Sequence, residues 1–165
     1  MIRDLVLDTH VLTEFIAQYF ECPNRDDFRV IKRDCITEER ARLLNRVLKS
    51  YYNENLFENG LIITSAFSFI EICRQFQTVT GGRYTKLQLK SFINDLPPYI
   101  EVAPIDRVLS EAICDAPKTV ILSNGNAEKI ELPDAIHYAT YLTRDNAFLV
   151  TDDGKLKCIL SVDVV

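Results

Sequence analysis

The chain has 165 residues, of which 47% are hydrophobic, and a formal net charge of −5. That describes one globular domain able to bury roughly 70% of its unfolded surface. It excludes a membrane-spanning segment, a secretory core and a grip on nucleic acid by bulk positive charge, because Leu5-Val6-Leu7 is far too short and is followed by Asp8. A nuclease stays open, since an acidic metal site adds negative charge that bound cations neutralise. The five cysteines (Cys22, Cys35, Cys73, Cys114, Cys158) are odd in number and form no CxxC pair. They point to a reduced, cytoplasmic protein rather than to a disulfide framework or a zinc site.

Ile2 to Leu7 reads as a strand that runs straight into Asp8-Thr9-His10. Val11, Leu12, Phe15, Ile16, Tyr19 and Phe20 then recur at helical spacing, and Pro23-Asn24 closes that helix. Arg25 to Cys35 is charged and without period. Thr37-Glu38-Glu39 starts a second helix, with a hydroxyl cap and acids favoured by the dipole. Ala41, Leu44, Val47, Leu48 and Tyr51 mark its buried face, opposite a ridge of Arg42, Arg46 and Lys49.

Leu61 to Thr64 is the next strand, and Ser65 caps a helix from Ala66 to Gln77 that is apolar nearly all round and so expected to be deeply packed. Its only acid is Glu71. Gly81-Gly82 is a loop, Leu87 to Leu96 a helix stopped by Pro97-Pro98, Ile100 to Ala103 a strand, and Arg107 to Cys114 another helix. Ser123 to Asn126 reads as a flexible turn. Pro133 belongs to the first turn of a helix, where its missing N–H costs nothing. Ala135, Ile136, Ala139 and Leu142 form that helix's core stripe, and Asp145-Asn146 ends it. Ala147 to Thr151 is a buried strand followed by Asp152-Asp153, and Val162 to Val165 is a last edge strand. Strands alternating with helices predict an α/β fold with a mostly parallel sheet covered on both faces.

The acids carry the chemical reading. Asp8 follows a strand directly, which also suits a helix cap. Glu71 lies in an apolar helix, where an unpaired carboxylate costs several kcal/mol, and Arg74 one turn on offers a simple ion pair instead. Asp134 is also an ordinary first-turn acid, and Asp152-Asp153 an ordinary turn before Gly154. Strand ends and helix starts share one edge of a parallel sheet, however, so these acids are placed to converge there. Clustered carboxylates repel unless cations lie among them, and an all-oxygen set suits Mg²⁺ or Mn²⁺ rather than zinc. Such a site positions water for in-line displacement at phosphorus. His10 and His137 show no ligand spacing, and His137 reads as a surface residue or a supporting neighbour of the acids.

LVLDT, the Glu71 helix SAFSFIEICRQF, LPDAIHYAT and LVTDD, in that order, resemble the PIN-domain nucleases, whose commonest small members are the VapC-type toxin ribonucleases. The resemblance runs essentially end to end. It implies one α/β/α sandwich over residues 1–165 and Mg²⁺- or Mn²⁺-dependent cleavage of single-stranded RNA. Asp8, Glu71, Asp134 and Asp153 match the family's metal-binding acids. Thr151 matches the small hydroxyl residue before the last of them, and Asp152 takes the variable place between. A helical insertion at about 21–58 is longer than compact members carry. In a toxin context the partner would be an antitoxin whose segment plugs the acidic groove. A homodimer is expected, since the Val11–Phe20 stripe is wider than one sheet face requires and the resemblance implies nucleases that commonly pair. The ridge of Arg42, Arg46 and Lys49 would hold RNA phosphates, its plainer reading being a solvated helix face.

Two other functions compete. A haloacid-dehalogenase-like phosphatase also begins with a strand and Asp8, uses a strand-end Thr64 or Ser65 and ends on Asp152 and Asp153. It needs a second Asp where this chain has His10, and it gives Glu71 and Asp134 no role. A non-catalytic module of the same fold, binding RNA or protein, is the third reading.

Overall fold

Short apolar runs separated by amphipathic segments build the molecule. The computed structural model describes residues 4–21 and 60–159. In chain order the elements are β1 (Asp4–Leu7), α1 (Thr9–Glu21), β2 (Ile62–Ser65), α2 (Ala66–Val79), α3 (Lys86–Asn94) and β3 (Ile100–Ala103). They continue as α4 (Arg107–Asp115), β4 (Thr119–Ile121), β5 (Ala127–Lys129), α5 (Leu132–Leu142), β6 (Ala147–Val150) and α6 (Gly154–Ile159). The sequence-predicted Thr37–Tyr51 helix with Arg42, Arg46 and Lys49, the insertion beyond Glu21 and the strand at 162–165 lie outside the described residues.

Four strands form one sheet in the order β3-β2-β1-β6, and every neighbouring pair is parallel. Successive residues of a strand face opposite ways. Leu5, Leu7, Ile62, Ile100 and Val150 therefore share one core with Phe15 and Ile16 of α1, Ile72 of α2 and Phe92 of α3. Val6, Ile63, Ala103 and Leu149 share the opposite core with Leu156 of α6, against which Tyr138 and Tyr141 of α5 pack. Helices thus flank both faces, an arrangement compatible with a three-layer α/β/α sandwich. Burial on both faces is why these strands are unbroken apolar runs rather than alternating ones.

The wide stripe of α1 is used inside the chain. Val11, Leu12, Phe15 and Ile16 are each no more than 1% exposed. Tyr19 and Phe20 set their rings edge-on to Phe92 and Phe76 of the neighbouring helices. One side of α1 meets the sheet and the other meets α2 and α3, so the stripe that motivated a homodimer is consumed without a second copy.

Ser65 caps α2 by accepting from the Ser68 amide. The expectation of a helix packed all round does not hold. Ser68, Phe69, Ile72 and Phe76 are buried, while Ile70, Cys73, Arg74 and Gln75 are exposed. Among the described residues the covered side faces α1, α3 and the sheet, and Ile70 on the far side is exposed.

The Ser123–Asn126 turn belongs to an antiparallel β4–β5 hairpin that the periodicity did not reveal. Gly125 takes a φ of +83° there, and the Asn126 amide bonds to Asn124 Oδ1. Helix α5 ends at Leu142, before Asp145-Asn146, with Thr143 as its cap. Asn146 instead makes the reversal into β6 at a φ of 139°.

The strand order has a consequence for the site. From β1 the chain adds β2 and β3 on one side and returns to place β6 on the other. The carboxyl ends of β1 and β6 therefore flank a topological switch point, where crevices open in parallel sheets.

Candidate metal centre

Asp8 is the first residue past β1, at that switch point. Its Oδ1 accepts from the Val11 amide at 2.8 Å, so it caps α1 while standing only 3% exposed. Burial pushes its pKa above the ordinary carboxylate value, against the opposing pull of hydrogen bonds from Thr151 and the Val11 amide; the charge of Asp152 adds to the rise. The cap reading and the buried-acid reading are both correct.

Glu71, half-buried on α2, accepts the hydroxyl proton of Thr9 at 2.5 Å. Among the described residues no ion pair joins it to Arg74, which is exposed. Asp134 lies in the first turn of α5, where the Glu131 amide donates to its Oδ2 at 3.3 Å. The same oxygen meets the Lys155 ammonium at 2.7 Å. Asp153 caps α6, its Oδ1 accepting from the amides of Lys155 at 2.7 Å and Leu156 at 3.2 Å.

These four acids come from the ends of β1 and β6, from α2 and from the start of α5, and they line one cleft together with Thr9 and His137. Thr151 is fully buried beneath it. Its hydroxyl accepts from the Asp153 amide at 3.0 Å and bonds to Asp8, so it links two of the acids. Asp152 is partly exposed and does not line the cleft; it acts on Asp8 only through charge.

His137 corrects the surface reading. It is 4% exposed, and burial pushes its pKa down to about 4 although Glu71 and Asp134 pull the other way. The ring is therefore neutral at pH 7. Its Nε2 stands 3.2 Å from Thr9 Oγ1. Thr9 spends its only proton on Glu71, so it must accept from Nε2–H, which leaves Nδ1 with the bare lone pair. Among the described residues that nitrogen has no hydrogen-bond partner. Thr9 and Lys155 are the site residues that sequence reasoning missed. Thr9 and Lys155 were signalled only by standing one residue after Asp8 and two after Asp153. A further buried acid, Glu14 on α1, was not singled out either.

The donor set fits a hard divalent cation in kind. It is all carboxylate oxygen, and among the described residues the buried Asp8 has no ion pair to supply the counter-charge that its ionised form needs. In position the acids are not gathered. Among the described residues no three His, Cys, Asp or Glu side chains converge on one ion. Each carboxylate is turned to its own donor, Asp134 to an ammonium and the others to amides or a hydroxyl. The bond to Asp134 in turn raises the pKa of the Lys155 ammonium.

Comparison of the chain with family models, with curated proteins and with solved structures gives no significant match.

Proposed function

We propose that this cleft is the active site of a Mg²⁺- or Mn²⁺-dependent endoribonuclease with a PIN-like α/β/α fold, acting on single-stranded RNA. One observation carries the reading: four carboxylates from four separate elements line one cleft at the sheet's switch point, one of them buried with its pKa raised. A fold has no structural need to gather acids there, and perturbed groups in a cleft favour function.

Asp8, Glu71, Asp134 and Asp153 would hold the metal. A divalent ion in such a site supplies charge neutralisation at phosphorus and a water acidified enough to attack. The chain's own residues do the positioning. Thr9 orients Glu71, His137 holds Thr9 from behind without adding charge, and Thr151 ties Asp8 to the Asp153 turn. Arg42, Arg46 and Lys49 remain the proposed RNA-contacting ridge. A toxin role with an antitoxin partner, assembly as a homodimer and a cytoplasmic location belong to the same proposal and rest on the sequence resemblance.

The phosphatase reading gains nothing from the geometry. Thr64 does not line the cleft, and the Ser65 hydroxyl is engaged with Ser68. The test is direct. Purified protein should cleave single-stranded RNA with Mg²⁺ or Mn²⁺ and stop with EDTA. Hydrolysis of p-nitrophenyl phosphate with RNA left intact would return the phosphatase. Saturable RNA binding without cleavage in either metal would return the non-catalytic module.

A further inference from the structure

Lys155 is bound at both ends to proposed metal-holding acids. Its backbone amide donates to Asp153 Oδ1 at 2.7 Å, and its ammonium meets Asp134 Oδ2 at 2.7 Å. One residue therefore bridges the turn after β6 and the first turn of α5. The pair is largely withdrawn from solvent, with side-chain exposures of 21% for Lys155 and 15% for Asp134. The cleft that Asp134 and Asp153 line also holds a polar group without a partner among the described residues, since His137 lines it, is 4% exposed and keeps Nδ1 without a hydrogen bond.

We infer that Lys155 is an internal counter-ion that occupies Asp134 in the metal-free protein and is exchanged for the divalent cation when the site fills. The inference rests on the metal-site reading above and adds to it a device that sets when the site assembles. Asp134 Oδ2 has limited room for donors: it already accepts from the Glu131 amide, and a metal ion placed against it would face an ammonium at hydrogen-bonding distance. Two cations so close repel, so the ammonium must swing away on its flexible stem as the metal arrives. The backbone bond to Asp153 can persist, because one carboxylate offers several acceptor sites. Lys155 thus raises the metal concentration at which Asp134 joins the other acids, and it gives Asp134 a counter-ion while the cleft is empty.

The test uses the full chain, with Mn²⁺ as probe. Amine acetylation followed by mass spectrometry should show Lys155 protected without metal. Its labelling should rise at least about threefold at saturating Mn²⁺, while the exposed Lys90 is unchanged. In parallel, calorimetry should give Lys155→Met a Mn²⁺ affinity about two- to fivefold tighter than wild type, the range of a partly screened ion pair. Saturable Mn²⁺ binding with Lys155 labelling unchanged or lowered would overturn the exchange and leave the metal site standing. No Mn²⁺ binding by either protein would overturn both. Because labelling is read on the unaltered chain, a variant that folds poorly does not blunt the test.

Discussion

Thr9 and Glu71 are 62 positions apart, yet the Thr9 hydroxyl donates to Glu71 Oε2 at 2.5 Å. The contact pins the first turn of α1 to the middle of α2 across the mouth of the cleft. It gives a partner to a carboxylate that forms no ion pair among the described residues. It also recruits His137, whose Nε2 lies 3.2 Å from Thr9 Oγ1.

Thr9→Val tests that relay. Valine nearly matches threonine in shape but removes the hydroxyl, freeing Glu71 to turn and stranding the His137 N–H. Leaving a buried donor unmade costs about 1–3 kcal/mol, which urea unfolding would register. RNA cleavage under single-turnover conditions should fall by roughly ten- to a hundredfold, the equivalent of about 1.4–2.7 kcal/mol in the barrier. Full cleavage by a folded variant would show that Glu71 needs no orienting partner.

His137 predicts a pH dependence of stability. Its folded pKa is about 4, against an unperturbed value of 6.5, so the unfolded chain binds the extra proton first. Above pH 6.5 the ring is neutral in both states and contributes no dependence. As pH falls from 6.5 towards 4, unfolding is increasingly favoured, by up to about 3 kcal/mol from this group. Denaturant midpoints should therefore drop across that window in wild type and drop less in His137→Gln. Parallel curves for the two proteins would assign the acid sensitivity elsewhere.

Much of this architecture is legible in the sequence for a simple reason. Strands buried on both faces must be continuous apolar runs, so Leu5–Leu7, Ile62-Ile63 and Ala147–Val150 stand out, and the acids that follow them are placed by the parallel topology. Local caps such as Ser65 are equally readable, because hydrogen bonds of that kind span only three residues. What is not legible depends on what covers what. Ile70 looks like core but is exposed, since no element among the described residues packs on that side of α2. His137 looks polar and therefore exposed, but the first turn of α1 sets Thr9 against it. Strands β4 and β5 have three residues each, mostly exposed, and alternate too briefly to leave a pattern. Lys155 and Asp134 belong to different elements, and no spacing rule joins them.

Asp8 should trade stability for function. Burial raises its pKa, so its contribution to stability is intact below pH 3.8 and is lost as pH rises through the folded value. Burying this carboxyl group is therefore a liability in the metal-free protein above that value. Asp8→Asn removes the charge but keeps an oxygen to accept from the Val11 amide, as asparagine caps helices about as well. The metal-free variant should unfold at higher urea than wild type, by on the order of 1 kcal/mol. Mn²⁺ at about a hundred times its Kd should stabilise wild type by about 2.7 kcal/mol and the variant hardly at all. A variant less stable than wild type without metal would show that the buried charge is already compensated.

The adjacent acids Asp152 and Asp153 can be separated by the same conservative change. Successive residues leaving a strand point to opposite sides. Here Asp153 lines the cleft and holds the first turn of α6, whereas Asp152 is partly exposed and reaches Asp8 only through its field. Asp153→Asn retains an acceptor for the Lys155 and Leu156 amides, so the turn should survive and the fold with it. The lost charge should cost metal affinity and on the order of a hundredfold or more in cleavage, as expected when a ligand that neutralises a divalent ion is removed. Asp152→Asn removes a like charge near Asp8 and should change the rate by no more than about tenfold, while lowering the Asp8 pKa. Cleavage rates at saturating Mn²⁺, paired with circular dichroism to confirm folding, read both variants. If Asp152→Asn abolishes cleavage while Asp153→Asn leaves it intact, the metal is held on the other side of this turn.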